Sequence, residues 1–297
     1  MLAFAVAGTT GAPLGRGLAD TMRSKLFVPC SRPELFAKAL AGPADAISFD
    51  LEDAVPEGGK AAARAALADA LRSDAVRASA KTIIVRVNAP ATAHFADDLA
   101  ALAGCRVDLL NLPKLETVAD LRNTVGALDR AGVTARLLVN IESAAALQNA
   151  AALAQADARV AGLQVGLNDL FAALGIDRSD ARHVHAALWG VRLAAGTAGR
   201  FAYDGAWPDV ADADGFRREA ELARSLGYLG KSCIHPSQVP IANAVFDAGA
   251  ALAGARRLLA AAEAAEREGR GAFLLDGRMV DRPAIAQAKA LVAGAAQ

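Results

Sequence analysis

Aromatic residues make up only 5% of this 297-residue chain, while 54% of it is hydrophobic. Its core must therefore be built from Ala, Val, Leu and Ile, and a chain this long can bury a large one. Cysteine is scarce as well. Cys30, Cys105 and Cys233 are far apart and odd in number, with no C-x-x-C or Cys/His ligand spacing. That argues against a disulfide framework and a zinc site, and fits a reducing, cytoplasmic setting. Neither charge is in excess, with 32 basic residues against 32 acidic. A general nucleic-acid or membrane-surface role needs a basic excess, so neither partner is expected, although a local basic patch for one anionic ligand stays open. No apolar run approaches the roughly 20 residues of a spanning helix. Residues 1–21 are small, apolar and Gly-rich, with no basic stretch ahead of the apolar part, unlike a signal peptide. They are expected to form a disordered N-terminal extension, with Met22 an alternative start to Met1.

What is present is an alternation. Short aliphatic or β-branched runs, Ser24–Val28, Ala46–Leu51, Thr82–Val87, Val107–Leu112, Arg136–Ile141, Val160–Val165, Arg200–Tyr203 and Gly230–Ile234, read as strands. Ala-rich helical stretches lie between them, at Glu57–Arg72, Thr117–Ala131, Ser143–Gln155, Asp180–Ala195 and Asp209–Leu226. Strands apolar on both faces are parallel and buried. Eight β-then-α units imply a closed barrel or a doubly wound sheet. The first strand is not followed by G-x-G-x-x-G, which weakens the dinucleotide-binding version. The expected fold is therefore α/β, a (β/α)8 TIM barrel over residues 22–248. After the eighth strand, helices are expected near Pro240–Phe246, Ala251–Glu268 and Pro283–Val292, and residues 249–297 form a C-terminal helical appendage. An Ala272–Val280 hairpin is expected to turn at Asp-Gly.

Polar residues gather where the apolar strands end. These are Asp50, Glu52 and Asp53 after the second run, Arg86 and Asn88 in the third, and Lys114 after the fourth. Glu142 follows the fifth, Asn168 and Asp169 the sixth, and His235 the eighth. In a parallel barrel these ends share one rim, the face that carries active sites. Glu142 and Asp169 are hard oxygen donors at neighbouring strand ends, able to share a Mg2+. Equally, Glu142 can be a helix N-terminal acid and Asp169 an N-cap. Arg86 either holds a carboxylate or developing enolate oxygen, or pairs internally with Asp50, Glu52 or Asp53. Three acids within four residues more plausibly orient that arginine and outer-shell water than form a solvated loop. Lys60 and Arg64, one turn apart, read as a solvated helix face. His235 either moves a proton or orients its neighbours.

In order along the chain stand Arg23-Ser24-Lys25-Leu26-Phe27-Val28-Pro29, Asp50-Leu51-Glu52-Asp53-Ala54-Val55, Val85-Arg86-Val87-Asn88 and Leu112-Pro113-Lys114. Ile141-Glu142-Ser143, Gly166-Leu167-Asn168-Asp169-Leu170, Gly230-Lys231-Ser232-Cys233-Ile234-His235-Pro236-Ser237-Gln238 and Asp276-Gly277-Arg278-Met279-Val280-Asp281-Arg282-Pro283 follow. Over residues 22–294 this series resembles the citrate lyase β-subunit-like family. Malyl-CoA, β-methylmalyl-CoA and citramalyl-CoA lyases are among its relatives, within the pyruvate-binding barrel superfamily. Two departures are Cys30, where the family commonly has Gly, and Gly166-Leu167-Asn168 in place of a small-residue run.

The resemblance implies a Mg2+-dependent carbon–carbon lyase that splits a 3-hydroxyacyl-CoA, such as citramalyl-CoA, malyl-CoA or a citryl thioester, into an acyl-CoA and a 2-oxo acid. It assigns Glu142 and Asp169 to the metal, and Arg86 to the oxo acid and enolate oxygen. Glu52 and Asp53 become candidate catalytic residues, Asn88 and Lys114 candidate substrate contacts, and Arg23 and Lys25 basic residues near the CoA phosphates. Asp281 is the acid/base that a neighbouring subunit lends, in a homo-oligomer (trimer or hexamer) with the appendage at the interface. Three alternatives stay open: a class II aldolase on free hydroxy-oxo acids, a citrate lyase β subunit working only with an acyl carrier protein, and a catalytically silent thioester-binding protein. The complete Glu142/Asp169/Arg86 set disfavours the last.

Overall fold

In this computed structural model the described residues are 22–267 and 272–295. The expected N-terminal extension, residues 1–21, lies outside them. The chain divides into two units, one running from Met22 to Phe246 and one beginning at Asp247.

The first unit is a closed barrel of eight strands in sequence order. They are β1 (Ser24–Pro29), β2 (Ala46–Asp50), β3 (Thr82–Arg86), β4 (Leu109–Leu112), β5 (Arg136–Ile141), β6 (Val160–Val165), β7 (Phe201–Ala206) and β8 (Lys231–Cys233). All neighbours pair in parallel, and β8 closes on β1 through Ser24↔Lys231 and Leu26↔Cys233. Alternate strand residues, among them Ile47, Phe49, Ile83, Val85, Leu137 and Val139, join one apolar cluster with the surrounding helices. Their partners on the other face of each strand fill the barrel. Helices start where the sequence offers caps. Thr117 and Asp120 form a capping box, and the Ser143 hydroxyl accepts the Ala146 N–H at the head of the Ala144–Gln155 helix. Among the described residues no helix is long and apolar enough to cross a membrane.

β5 and β6 have the expected bounds, β1, β2, β3 and β8 shift by one residue at one end or both, and β4 and β7 differ by more, for physical reasons. β4 begins at Leu109 and not Val107, because the Asp108 carboxylate takes the Ile83 N–H at 2.8 Å and replaces a ladder bond. β7 runs past Tyr203 through Asp204-Gly205-Ala206, since the acid that reads as a strand end is neutralised inside the fold. Lys231 Nζ lies 2.6 Å from Asp204 Oδ2 and 2.7 Å from Glu219 Oε1, and Arg178 reaches the same Glu219 oxygen at 2.7 Å.

Lys60 and Arg64 also correct the sequence reading. Lys60 is buried, its ammonium donating to the Leu51 and Glu52 carbonyls (2.7 Å each) and to Asn88 Oδ1 (2.6 Å). Arg64 Nε donates to buried Asp98 at 3.0 Å. Lys60 thus pins the loop after β2, and Arg64 ties its helix to the His94–Leu102 helix that carries Asp98.

The second unit pairs two helices, Gly249–Arg267 and Arg282–Ala295, with an antiparallel hairpin of β9 (Phe273–Leu275) and β10 (Arg278–Val280). Asp276 and Gly277 make its turn, both at positive φ (52° and 77°), as a two-residue hairpin connection of the primed type demands.

The Lys231 cluster is completely enclosed, and breaking a buried pair strands the remaining charge. Lys231→Met is expected to lower unfolding free energy by about 3–5 kcal/mol in urea denaturation. A loss below about 1 kcal/mol would show that the cluster contributes no net stability.

Candidate active site

The strand ends enclose a cavity of about 370 Å³ whose wall includes Phe27, Asp50, Asp53, Arg86, Asn140, Glu142, Gln164, Gly166, Asn168 and Asp169. Of the sequence-predicted rim, Asp50, Asp53, Arg86, Glu142, Asn168 and Asp169 line this one cavity.

Arg86, the last residue of β3, is paired across the ladder with Asp50, the last residue of β2. Asp50 grips it with both oxygens, Nε to Oδ1 at 2.8 Å and Nη2 to Oδ2 at 2.6 Å. Nη1 reaches Asp53 at 3.2 Å and stands 3.0 Å from Glu52 Oε2, and the guanidinium lies over the Phe27 ring. Burial works against this charge, but the carboxylates, Asp50 foremost, more than offset it and raise the Arg86 pKa. Asp50 is locked in turn by the N–H groups of Glu52 and Ala54. The internal ion pair expected of Arg86 is thus present, on the wall of the cavity.

Glu52 does not line that cavity. It sits behind Arg86 and 3.4 Å from the Lys114 ammonium. Both its oxygens are buried and, despite ion-pair distances, have no well-directed hydrogen bond among the described residues. Burial pushes its carboxyl up to about 7, with Arg86 pulling the other way.

Glu142 and Asp169 approach each other from β5 and from the first turn of the Leu167–Leu174 helix after β6. Glu142 is buried, while Asp169 is exposed to the cavity. The Lys114 backbone N–H donates to Glu142 Oε1 (2.8 Å) and Asn140 Nδ2 to Oε2 (3.2 Å). Lys114 adopts positive φ (55°) to present that amide, a conformation uncommon outside glycine. Burial raises the Glu142 pKa, and the nearby Asp169 charge adds to the rise. Gly166 makes the approach possible, because a Cβ there would stand 2.5 Å from Glu142 Cβ and 2.9 Å from its Oε2. Gly166 also occupies the N-cap position, so Asp169 is not the cap. Among the described residues no cluster of three His, Cys, Asp or Glu side chains forms a metal cage. Two carboxylates at an open mouth suit a hard cation that keeps water and takes further oxygens from its ligand.

A second wall was not read from the sequence. Arg178 hydrogen-bonds Asn168, the residue before Asp169, and donates to the Ala206 carbonyl at 2.8 Å. It also faces the Trp207 ring at 5.3 Å. Through Glu219, this arginine ties the Asp169 turn to the Lys231–Asp204 pair. Arg178 lies in a loop with no motif around it, so only the fold could reveal it. Asn140 and Gln164 carry no sequence signal, because they sit inside the apolar strands β5 and β6.

Other expected site residues fall elsewhere. Arg23 stands before β1, at the opposite end of the barrel from the cavity, and pairs with Asp45 at 2.9 Å. Lys25 is wholly buried inside the barrel, hydrogen-bonded to Gln164. Neither placement matches a contact with CoA phosphates at the mouth. The Asn88 carboxamide is committed to Lys60 and Asp98. Lys114 is half exposed beside Glu52 and Asp53. His235 is exposed, with Nδ1 held by Ser237 at 2.8 Å. Asp281, in the second unit, accepts the Ala284 N–H at 3.2 Å and so caps the last helix.

Residues 23–236 match the HpcH/HpaI aldolase/citrate lyase family. A (3S)-malyl-CoA thioesterase of Cereibacter sphaeroides is 38% identical over 279 residues, spanning 93% of this chain and 95% of the relative. An L-malyl-CoA/β-methylmalyl-CoA lyase of the same species is 35% identical over 298 residues, spanning 91% and 93%. Among solved structures, protein CitE from Mycobacterium tuberculosis in complex with magnesium, acetoacetate and coenzyme A superposes with a TM-score of 0.73 at 37% identity. That alignment covers 92% of this chain and 98% of the other.

Glu52 yields a stability prediction. Its folded pKa of about 7 lies above the ordinary 4.5, so the folded state holds its proton more tightly than the unfolded one. Its ionisation therefore costs stability, a cost absent below about pH 4.5, growing through the interval and complete above about 7. Glu52→Gln is expected to stabilise the fold by on the order of 1–3 kcal/mol at pH 8 and to change it little at pH 4.5. Denaturation midpoints at the two pH values test this. Equal effects at both would show that Glu52 titrates normally.

Proposed function

The chain belongs to the HpcH/HpaI aldolase/citrate lyase family, and from that premise we propose that it is a Mg2+-dependent lyase. In this reading it cleaves the carbon–carbon bond of a 3-hydroxyacyl-CoA, giving an acyl-CoA and a 2-oxo acid. The observation that carries the reading is that Arg86, Glu142 and Asp169 face one cavity. Glu142 and Asp169 hold the Mg2+, with Lys114 N–H and Asn140 aiming the Glu142 oxygens. The cation, when bound, supplies Lewis-acid stabilisation of negative oxygen.

Cleavage removes the 3-hydroxyl proton, breaks the adjacent C–C bond, and leaves the electron pair as the enolate of the acyl thioester. That enolate then takes a proton at carbon. Arg86, fixed by Asp50 and Asp53, donates to the oxygen on which charge develops, the kind of preorganised contact worth about 10²–10³ in rate. Glu52 acts through Arg86 and Lys114 as a positioning residue. Asp53, on the cavity wall, is a candidate proton carrier.

Hydrolysis of the thioester is the second reading, favoured by the similarity to a malyl-CoA thioesterase. Incubating the chain with Mg2+ and citramalyl-CoA, malyl-CoA or citryl-CoA separates the two. Lyase action releases a free 2-oxo acid and acyl-CoA, whereas hydrolysis releases the intact hydroxy acid and free CoA. We expect the oxo acid, its loss with EDTA, and falls on the order of 10²-fold or more in Glu142→Gln and Asp169→Asn. Hydroxy acid as sole product would replace the lyase reading, and full activity in either variant would remove the metal assignment.

The acid/base carboxylate we assign to Asp281, lent by a neighbouring copy in a homo-oligomer. Its exposed side chain and its place in a unit that barrel closure does not need support this. Mixing Asp281→Ala with Glu142→Gln subunits, each inactive alone, is expected to restore part of the activity on subunit exchange. No recovery after demonstrated exchange would leave Asp281 as a helix cap only.

A further inference from the structure

Below the cavity the barrel interior is polar where packed aliphatic layers are usual. Lys25 of β1 donates to Gln164 Oε1 of β6, and since these strands are not neighbours the bond crosses the interior. Asn111 of β4 approaches the same oxygen at 3.5 Å and donates to Asn140 Oδ1 at 3.1 Å, and Asn140 passes on to Glu142. Lysine offers donors only, so the Gln164 atom turned toward it must be the carbonyl oxygen. The amide nitrogen is thereby turned elsewhere. Gln164 is 4% exposed yet lines the cavity with Arg86 and Glu142. Its Nε2 finds no acceptor among the described residues. Turning the amide over would set two donors, Nε2 and the lysine, against each other. The N–H groups are thus fixed as donors into the cavity, and such a donor is costly to leave unmade once ligand displaces water.

We propose that Gln164, held by Lys25, is a specificity-determining donor that binds an acceptor oxygen on the side chain of the 2-oxo acid. The preferred oxo acid carries a hydroxyl or a second carboxylate there, and not hydrogen or methyl alone. This rests on the function proposed above, in which Arg86 and the cation held by Glu142 and Asp169 already serve the carboxylate and keto oxygens that every 2-oxo acid has. A further fixed donor addresses something only some of them possess. Lys25 is a positioning residue: its ammonium holds the carbonyl oxygen of Gln164 and so decides which face of the amide meets the ligand.

The test is direct binding, measured by calorimetry on the full chain with Mg2+ and pyruvate, 3-hydroxypyruvate or oxaloacetate. The tighter of the two oxygen-bearing acids is expected to bind about tenfold better than pyruvate. Gln164→Leu should close that gap to within about twofold without moving the pyruvate Kd. Lys25→Met, which frees the amide to turn, should narrow the gap in the same direction. If Gln164→Leu does not fold, Gln164→Glu keeps a partner for Lys25 and removes the donor, with the same loss of preference expected. Pyruvate binding as tightly as both other acids, or a gap that survives removal of the amide, overturns the inference and leaves the function reading intact. Failure of all three acids to bind overturns that reading, and the inference with it.

Discussion

A guanidinium held at the mouth of a barrel is the constraint around which the site is arranged. Arg86 could not be buried alone, because an unpaired charge there would cost far more than the fold can spare. Asp50 therefore stands beside it in the ladder and grips it through two bonds, and Asp53 and Glu52 complete the enclosure. Those acids must in turn be fixed. Lys60 reaches up from its helix to hold the carbonyls of Leu51 and Glu52. Asp98 anchors both Asn88 and Arg64. One buried cation thus dictates a chain of obligatory polar contacts across two strands and two helices.

The opposite side of the mouth follows another rule. Glu142 and Asp169 are drawn together with no protein cation between them, and their proximity depends on a missing side chain at Gly166. Three further arrangements hold this unfavourable pair: the strained Lys114 backbone, the asparagine relay through the barrel, and the Arg178–Glu219–Lys231–Asp204 cluster behind the Asp169 turn. Rigidity on one side and repulsion on the other leave a cavity prepared for positive charge at one wall and for negative oxygen at the other.

Much of this was legible in the sequence, and the exceptions have a common cause. Strand periodicity located all eight barrel strands, seven of them through buried apolar residues and β8 (Lys231-Ser232-Cys233) through its place in the alternation. The rim residues stood out because charges after apolar runs break the pattern. Reading failed where a polar residue was hidden inside a pattern or a charge was satisfied at a distance. Lys60 looked like a solvated lysine because its acceptors, two backbone carbonyls and Asn88, carry no sequence signature. β7 looked shorter because Asp204 finds its counter-charge 27 residues away on Lys231. Gln164 and Asn140 occupy interior strand positions that composition assigns to the core. Arg23 and Lys25, placed by likeness to a motif, lie at the far end and in the heart of the barrel, because alternation along β1 decides which way each side chain points.

The scarcity of aromatic residues has an optical consequence. The chain has two tryptophans. Trp189 lies half exposed on the outside of its helix, stacked with His185, and reports bulk solvent. Trp207 lies against the Arg178 guanidinium, next to Ala206 of the cavity wall, with a buried indole N–H that has no acceptor among the described residues. Its emission is therefore sensitive to charge at that wall. A Trp189→Phe protein would glow from this one indole, so that filling of the cavity becomes visible as a change of colour, without any label or coupled reaction.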